Sequence, residues 1–115
     1  MNQKLLPRKI NDFQEMFEKI YPSKKRTLED AGIHLAEESG ELLEAVMSFL
    51  GKHEKEDLKK AEDEFADFFS CLIAVLNSLK INLAEELANE FYDNCHVCHK
   101  MPCQCKYENI VNYKS

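Results

Sequence analysis

Two groups of residues in this chain could do chemistry. The first is acidic: Glu37-Glu38-Ser39-Gly40-Glu41 is followed, after a 22-residue spacer, by Glu64-Phe65-Ala66-Asp67. The second is sulfur: Cys95, Cys98, Cys103 and Cys105 put four thiols into eleven residues. Carboxylate oxygens are hard ligands suited to Mg²⁺ or Mn²⁺. Four thiolates make a tetrahedral set suited to Zn²⁺. The two spacings therefore predict two chemically independent metal sites.

Helices must position the acids. Thr27 reads as an N-cap, with Asp30 three residues on, and opens a helix to about Leu50 with Gly51 as its C′ residue. On a helical wheel with Leu35 at zero, Ala31, Leu42, Ala45, Val46 and Phe49 fall in an arc from roughly −80° to +20°. Glu38 falls inside that arc and Glu41 on its edge, whereas Glu37 and Glu44 lie further round and read as solvated. A polar link at 52–56 leads to another helix, to about Leu79. With Phe65 at zero there, Phe68, Leu72, Val75, Leu76 and Leu79 cluster around it. Glu64 falls between the directions of Cys71 and Val75, and Asp67 lies on the margin. Cys71 is most simply a core residue.

Each long helix thus carries one acid within its apolar face and another three residues on, at the rim. Residues at i and i+3 are neighbours on a helix surface. If the two faces pack together, four carboxylates converge. At neutral pH they must take up protons or bind a cation. The competing reading is a solvated acidic face, the ordinary fate of such runs.

These residues also carry a resemblance. Glu37-Glu38-x2-Glu41 with Glu64-x2-Asp67, set in HLAEESGELLEAV and EFADFFSCLIAVLN, resembles the EExxE…ExxD motif of MazG-like nucleotide pyrophosphohydrolases over residues 28–94. The resemblance implies an all-α, MazG-type domain. It implies Mg²⁺, with Mn²⁺ as a substitute, held by Glu38, Glu41, Glu64 and Asp67. It also implies hydrolysis of a nucleoside triphosphate between the α and β phosphates, giving a monophosphate and pyrophosphate. Glu37 is the candidate to orient or deprotonate the attacking water. Lys60, one turn before Glu64, matches a phosphate-contacting lysine of some relatives, although a solvated lysine is as good a reading. Asn94 matches an asparagine at the end of the last helix. Glu90 stands where relatives place a lysine, so this chain departs from the pattern there.

In the cysteine segment, CxxC is a zinc half-site and CxC can complete it. Met101-Pro102 suits a tight turn between the halves. A redox pair and an accidental cluster are the other readings. His96 and His99 read as bystanders. Four thiolates leave no open position, which makes the expected role structural.

Two further segments complete the helical pattern. Ile10, Phe13, Met16, Phe17 and Ile20 have helical spacing, and Asn82 with Glu85 signals a last helix with Leu83, Leu87 and Phe91 on one face. The expected architecture is a four-helix, bundle-like domain over 1–94, a zinc knuckle over 95–105 and a tail over 106–115. Only three Gly and three Pro in 115 residues agree with long helices.

A net charge of −6 argues against binding a nucleic-acid backbone or an anionic membrane. The opening MNQKLLPRKINDFQEMF has neither an apolar h-region nor a small-residue cleavage site, so a cytoplasmic, reducing setting is expected. An odd number of cysteines, five, fits a metal site better than disulfides there. The thin core of so short a chain, together with the resemblance, suggests a homodimer or a dimer of dimers. Two other readings compete with the enzyme. One is a non-catalytic helical interaction module stabilised by zinc. The other is a ferritin-like di-iron protein, disfavoured because no His lies three residues after a Glu.

Overall fold

Capping chemistry sets where the helices begin. The Asp12 carboxylate accepts from the Lys9 N–H at 3.2 Å and opens α1, Ile10–Ile20. The Thr27 hydroxyl accepts from the Asp30 N–H at 3.1 Å and opens α2, Leu28–Lys52. Then come α3, Lys55–Leu79, and α4, Leu83–Phe91, with a 3₁₀ turn at Ser23–Lys25 between the first two helices. The computed structural model describes residues 8–106, which are all-helical in their regular structure and contain no strand. Apart from Lys106, the expected tail lies outside the described residues. No single helix is long and apolar enough to cross a membrane.

The link between α2 and α3 is shorter than expected. Gly51 does not end α2; the helix continues through Lys52, and His53 takes the left-handed position at φ 57°. That backbone costs a non-glycine residue roughly 1–2 kcal/mol. His53 offsets it by donating its N–H to the Phe49 carbonyl at 2.7 Å and setting its ring edge-on to Phe49 at 5.6 Å. Only His53 and Glu54 separate the two helices, which therefore fold back as an antiparallel hairpin.

The chain divides into two compact units, one ending at Asn82 and the other starting at Leu83. The first contains α1 to α3; α4 belongs with the cysteine segment rather than with the other three helices. In the first unit, α2 packs chiefly on α3 through small residues. Ala31 and Ala45 of α2 and Ala61, Cys71 and Ile73 of α3 are buried. Leu35, Leu42, Val46 and Phe49 are half-buried, as the wheel places them.

On α3 the wheel misplaces the centre: Phe65 is 54% exposed and Leu79 is exposed as well. The reason is the reach of α1. It packs on the second half of α3, where residues 68–78 are all buried or half-buried, and leaves the first half with α2 alone.

Polar groups fix that α1–α3 contact. Gln14, buried on α1, donates its amide to Asn77 Oδ1 at 3.0 Å and to the Ile81 carbonyl at 2.9 Å. Asn77 returns a bond to the Gln14 carbonyl at 3.0 Å. Arg26 ties the α1–α2 connection to the same end of α3, donating to Ser78 Oγ, the Ala74 carbonyl and the Tyr21 carbonyl. Removing one partner from such a buried pair strands the other. Asn77→Ala should therefore destabilise the first unit by about 1–3 kcal/mol, read as a lower urea midpoint at unchanged slope.

Candidate functional site

Folding back at His53 and Glu54 brings the acidic stretch of α2 alongside that of α3. Ligand oxygens of Glu38, Glu41 and Glu64 lie within 4.8 Å of one another. Asp67 stands close enough to act on Glu38 through its charge, but it is not in that tight set. Glu37 is exposed and belongs to neither the set nor the neighbouring cleft.

The cluster is electrostatically unfavourable as it stands. The Glu38 side chain is only 15% exposed. Its Oε2 and that of Glu64 are buried with no hydrogen-bond partner. Burial, then the charges of Glu41 and Glu64, a hydrogen bond with Glu41 and the charge of Asp67 all push the Glu38 carboxyl above its usual range. A cation would satisfy both orphaned oxygens and reverse this repulsion, and the donors are all hard oxygens. The residues present could therefore hold a hard metal ion.

The raised Glu38 value fixes the sign of a pH effect. The folded state holds this proton more tightly than the unfolded chain, whose reference value is 4.5. The resulting stabilisation is present below about pH 4.5 and is lost as pH rises through the folded value. Relative to Glu38→Gln, which lacks this group, the wild type without divalent cations should thus gain stability as pH falls towards about 4.5; Cys98, held low, acts in the opposite sense in both proteins and cancels in the difference. Glu18, held below its usual range chiefly by the Ser23 N–H, works in the opposite sense and only at lower pH. Denaturant midpoints of the two proteins across that window check the expectation.

A cleft of about 270 Å³ adjoins the cluster, lined by Glu41, Glu44, Ala45, Ser48, Lys60 and Glu64. Lys60 therefore shares a wall with two of the clustered acids. Glu44 reads as solvated from the sequence and Ser48 carries no signal there; the cleft exists only once α2 and α3 are paired. A larger concavity, about 450 Å³, lies elsewhere, between Gln14, Glu18, Asn77, Lys80 and Asn82, and shares no residue with the clustered acids. Chemistry, rather than size, selects the smaller one.

The second unit carries the thiols. Sulfurs of Cys95, Cys98, Cys103 and Cys105 all lie within 4.8 Å of one another, with Cys95–Cys105 at 3.8 Å and Cys98–Cys103 at 3.9 Å. A tetrahedron of thiolates at about 2.3 Å from a metal has edges of about 3.8 Å, so the spacing suits a metal such as zinc. Backbone N–H groups point at the sulfurs: Val97 to Cys95 and Gln104 to Cys98, each at 3.4 Å, and Cys105 to Cys103 at 3.3 Å.

The Gln104 N–H leads the causes that hold Cys98 down at about 6, and the Cys98 and Val97 N–H groups lower Cys95. Cys105, hydrogen-bonded first to Cys103 and then to its other sulfur neighbours, is pushed up to about 12. His96 is outside the sulfur set; its ring stacks on Phe91 with centroids 5.0 Å apart. Asn94 also lies in this unit, its N–H donating to the Phe91 carbonyl at 2.6 Å.

No protein-family model matches this chain, and no curated protein or solved structure matches it. A functional reading therefore rests on the geometry of the two clusters and on the residue pattern that predicts them.

Proposed function

We propose that the chain is a Mg²⁺-dependent nucleoside triphosphate pyrophosphohydrolase of the MazG-like kind. The observation that carries this reading is the convergence of Glu38, Glu41 and Glu64 from two helices beside a cleft that also contains Lys60. Such a cluster serves no packing purpose and leaves two buried oxygens unsatisfied. Glu38, Glu41 and Glu64, with Asp67 at the rim, would hold Mg²⁺ or Mn²⁺. When bound, the cation would supply charge neutralisation at the phosphate oxygens of the substrate.

The remaining steps fall to the protein's own groups. Lys60 pairs with phosphate in the cleft. A carboxylate outside the ligand set holds the attacking water: Glu37, beside Glu38 and facing solvent, or Glu44 in the cleft wall. Zinc is the ion proposed for Cys95, Cys98, Cys103 and Cys105, in a structural role.

Identifying the products tests the activity. With a panel of nucleoside triphosphates and Mg²⁺, ³¹P NMR should show a nucleoside monophosphate and pyrophosphate. Diphosphate plus orthophosphate would mean attack at the γ phosphate and would remove the chain from this class. No hydrolysis of any member would favour the rival reading of a zinc-stabilised interaction module.

The first unit also leaves apolar surface uncovered. Ile33, Leu43, Met47 and Leu50 of α2 are all exposed, Leu43 by 62% and Met47 by 58%, while few residues are fully buried. A homodimer, or a dimer of dimers, would cover this face. Leu43→Glu combined with Met47→Glu should then yield a monomer by light scattering. A wild-type protein that is already monomeric at micromolar concentration would overturn the assembly.

A further inference from the structure

A third group of metal-binding side chains overlaps the acidic one and differs from it in chemistry. A ring nitrogen of His34, a carboxylate oxygen of Glu38 and the sulfur of Cys71 lie within 4.8 Å of one another. His34 and Glu38 are one turn apart on α2, and Cys71 comes from α3. The antiparallel hairpin accounts for the meeting. Glu41 stands at the level of Glu64, and moving one to two turns along each helix brings Glu38 and His34 to the level of Cys71.

The donor set is nitrogen, oxygen and sulfur. Magnesium has little affinity for thiolate or imidazole, whereas zinc and its neighbours in the first transition row accept all three. Three protein ligands with a fourth position open is a regular arrangement for such ions. Access is asymmetric. Cys71 is buried, but the His34 side chain is 63% exposed, so an ion can enter from the histidine side.

The contacts within the group are too loose to be an end in themselves. His34 Nε2 stands 3.5 Å from Glu38 Oε1, well beyond a good charge-assisted hydrogen bond. The other Glu38 oxygen is one of the buried atoms without a partner. A carboxylate has two oxygens and can serve two cations at once.

We propose that His34, Glu38 and Cys71 form a second divalent-cation site, which takes a transition metal such as Zn²⁺ or Co²⁺ in preference to Mg²⁺. Binding forms one bond to each of nitrogen, oxygen and sulfur and releases the Cys71 thiol proton to solvent. Glu38 is common to this site and to the acidic cluster. An ion in one therefore alters the affinity of the other, by the same factor in both directions. The site stands whether or not the acidic cluster supports hydrolysis.

Cobalt(II) titration of the full-length protein carrying a single zinc per chain, at the four-cysteine cluster, in excess Mg²⁺, tests this. The wild type should take up one Co²⁺ per chain with a thiolate-to-cobalt charge-transfer band in the near ultraviolet. The uptake should be one lower in Cys71→Ser, and at least about tenfold weaker in His34→Ala, with the band lost in Cys71→Ser. His34 is on the surface, so His34→Ala should keep its helical circular dichroism and guards against a misfolded Cys71 variant. Cobalt that displaces zinc from Cys95–Cys105 would appear equally in all three proteins. Equal stoichiometry and affinity in the three, or no thiolate band in the wild type, would overturn the site.

Discussion

Glu38→Gln should reduce Mg²⁺-dependent hydrolysis of nucleoside triphosphates by more than about 100-fold while leaving the helices intact. Partners that merely support metal ligands already cost about 10–100-fold when removed, and Glu38 would be a ligand itself. It is also the acid around which the others gather: Glu41, Glu64 and Asp67 all act on it. The amide keeps the shape but supplies no charge.

The same change relieves repulsion in the cation-free protein, so its thermal midpoint without Mg²⁺ should rise by a few degrees. Loss of activity with gain of apo stability distinguishes a functional acid from a structural one. A variant that hydrolyses at the wild-type rate would show that Glu38 holds no catalytic cation. Unchanged stability with lost activity would instead confine the repulsion to the other acids.

Changing Cys98 and Cys103 together to Ser should release one zinc per chain and disorder residues 94–106. Structural zinc in small modules is worth about 10–16 kcal/mol of apparent folding free energy at neutral pH. Beyond the sulfurs, His96 stacks on Phe91 at the start of the segment. Val97 and Met101 are exposed, and the hydrogen bonds run mainly between neighbouring backbone groups and the sulfurs themselves. The loss of hydrolysis should be smaller than in Glu38→Gln, because the acids use other helices and hard ligands. Elemental analysis of protein purified without added metal, followed by amide exchange, measures both effects. A zinc-free wild-type preparation with four alkylatable thiols and a protected segment would refute the assignment.

Much of this arrangement is legible in the residues, and the exceptions have physical causes. The α2 wheel places Ala31, Glu38 and Ala45 on the inner face because one neighbour, α3, covers one face of that helix. The α3 wheel goes astray at Phe65 because a wheel weights bulk, and the buried positions there are Ala61, Cys71 and Ile73. Small residues mark where helices come close, and α1 changes which sides of α3 are covered along its length.

Gly51 is a plausible helix terminator by type, yet the ring of Phe49 gives His53 a reason to take the left-handed position instead. His34 carries no signal in isolation. Its neighbour Glu38 is visible one turn away, but Cys71 is 37 residues distant and reaches it only through the hairpin. The grouping of α4 with the cysteines is likewise a property of packing that no local pattern announces.

The two-residue link at His53 and Glu54 also bears on how the first unit forms. Closing so short a loop costs little chain entropy, and each successive contact between α2 and α3 lies only slightly further apart in sequence than the last. Pairing can thus advance outward from the link, through Ala45 and Ala61 before it reaches the acids. Contacts that form after the transition state weigh on opening rather than closing. A cation held by Glu38, Glu41 and Glu64, which meets its ligands only once both helices are paired, would act as a latch that lengthens the lifetime of what has been assembled.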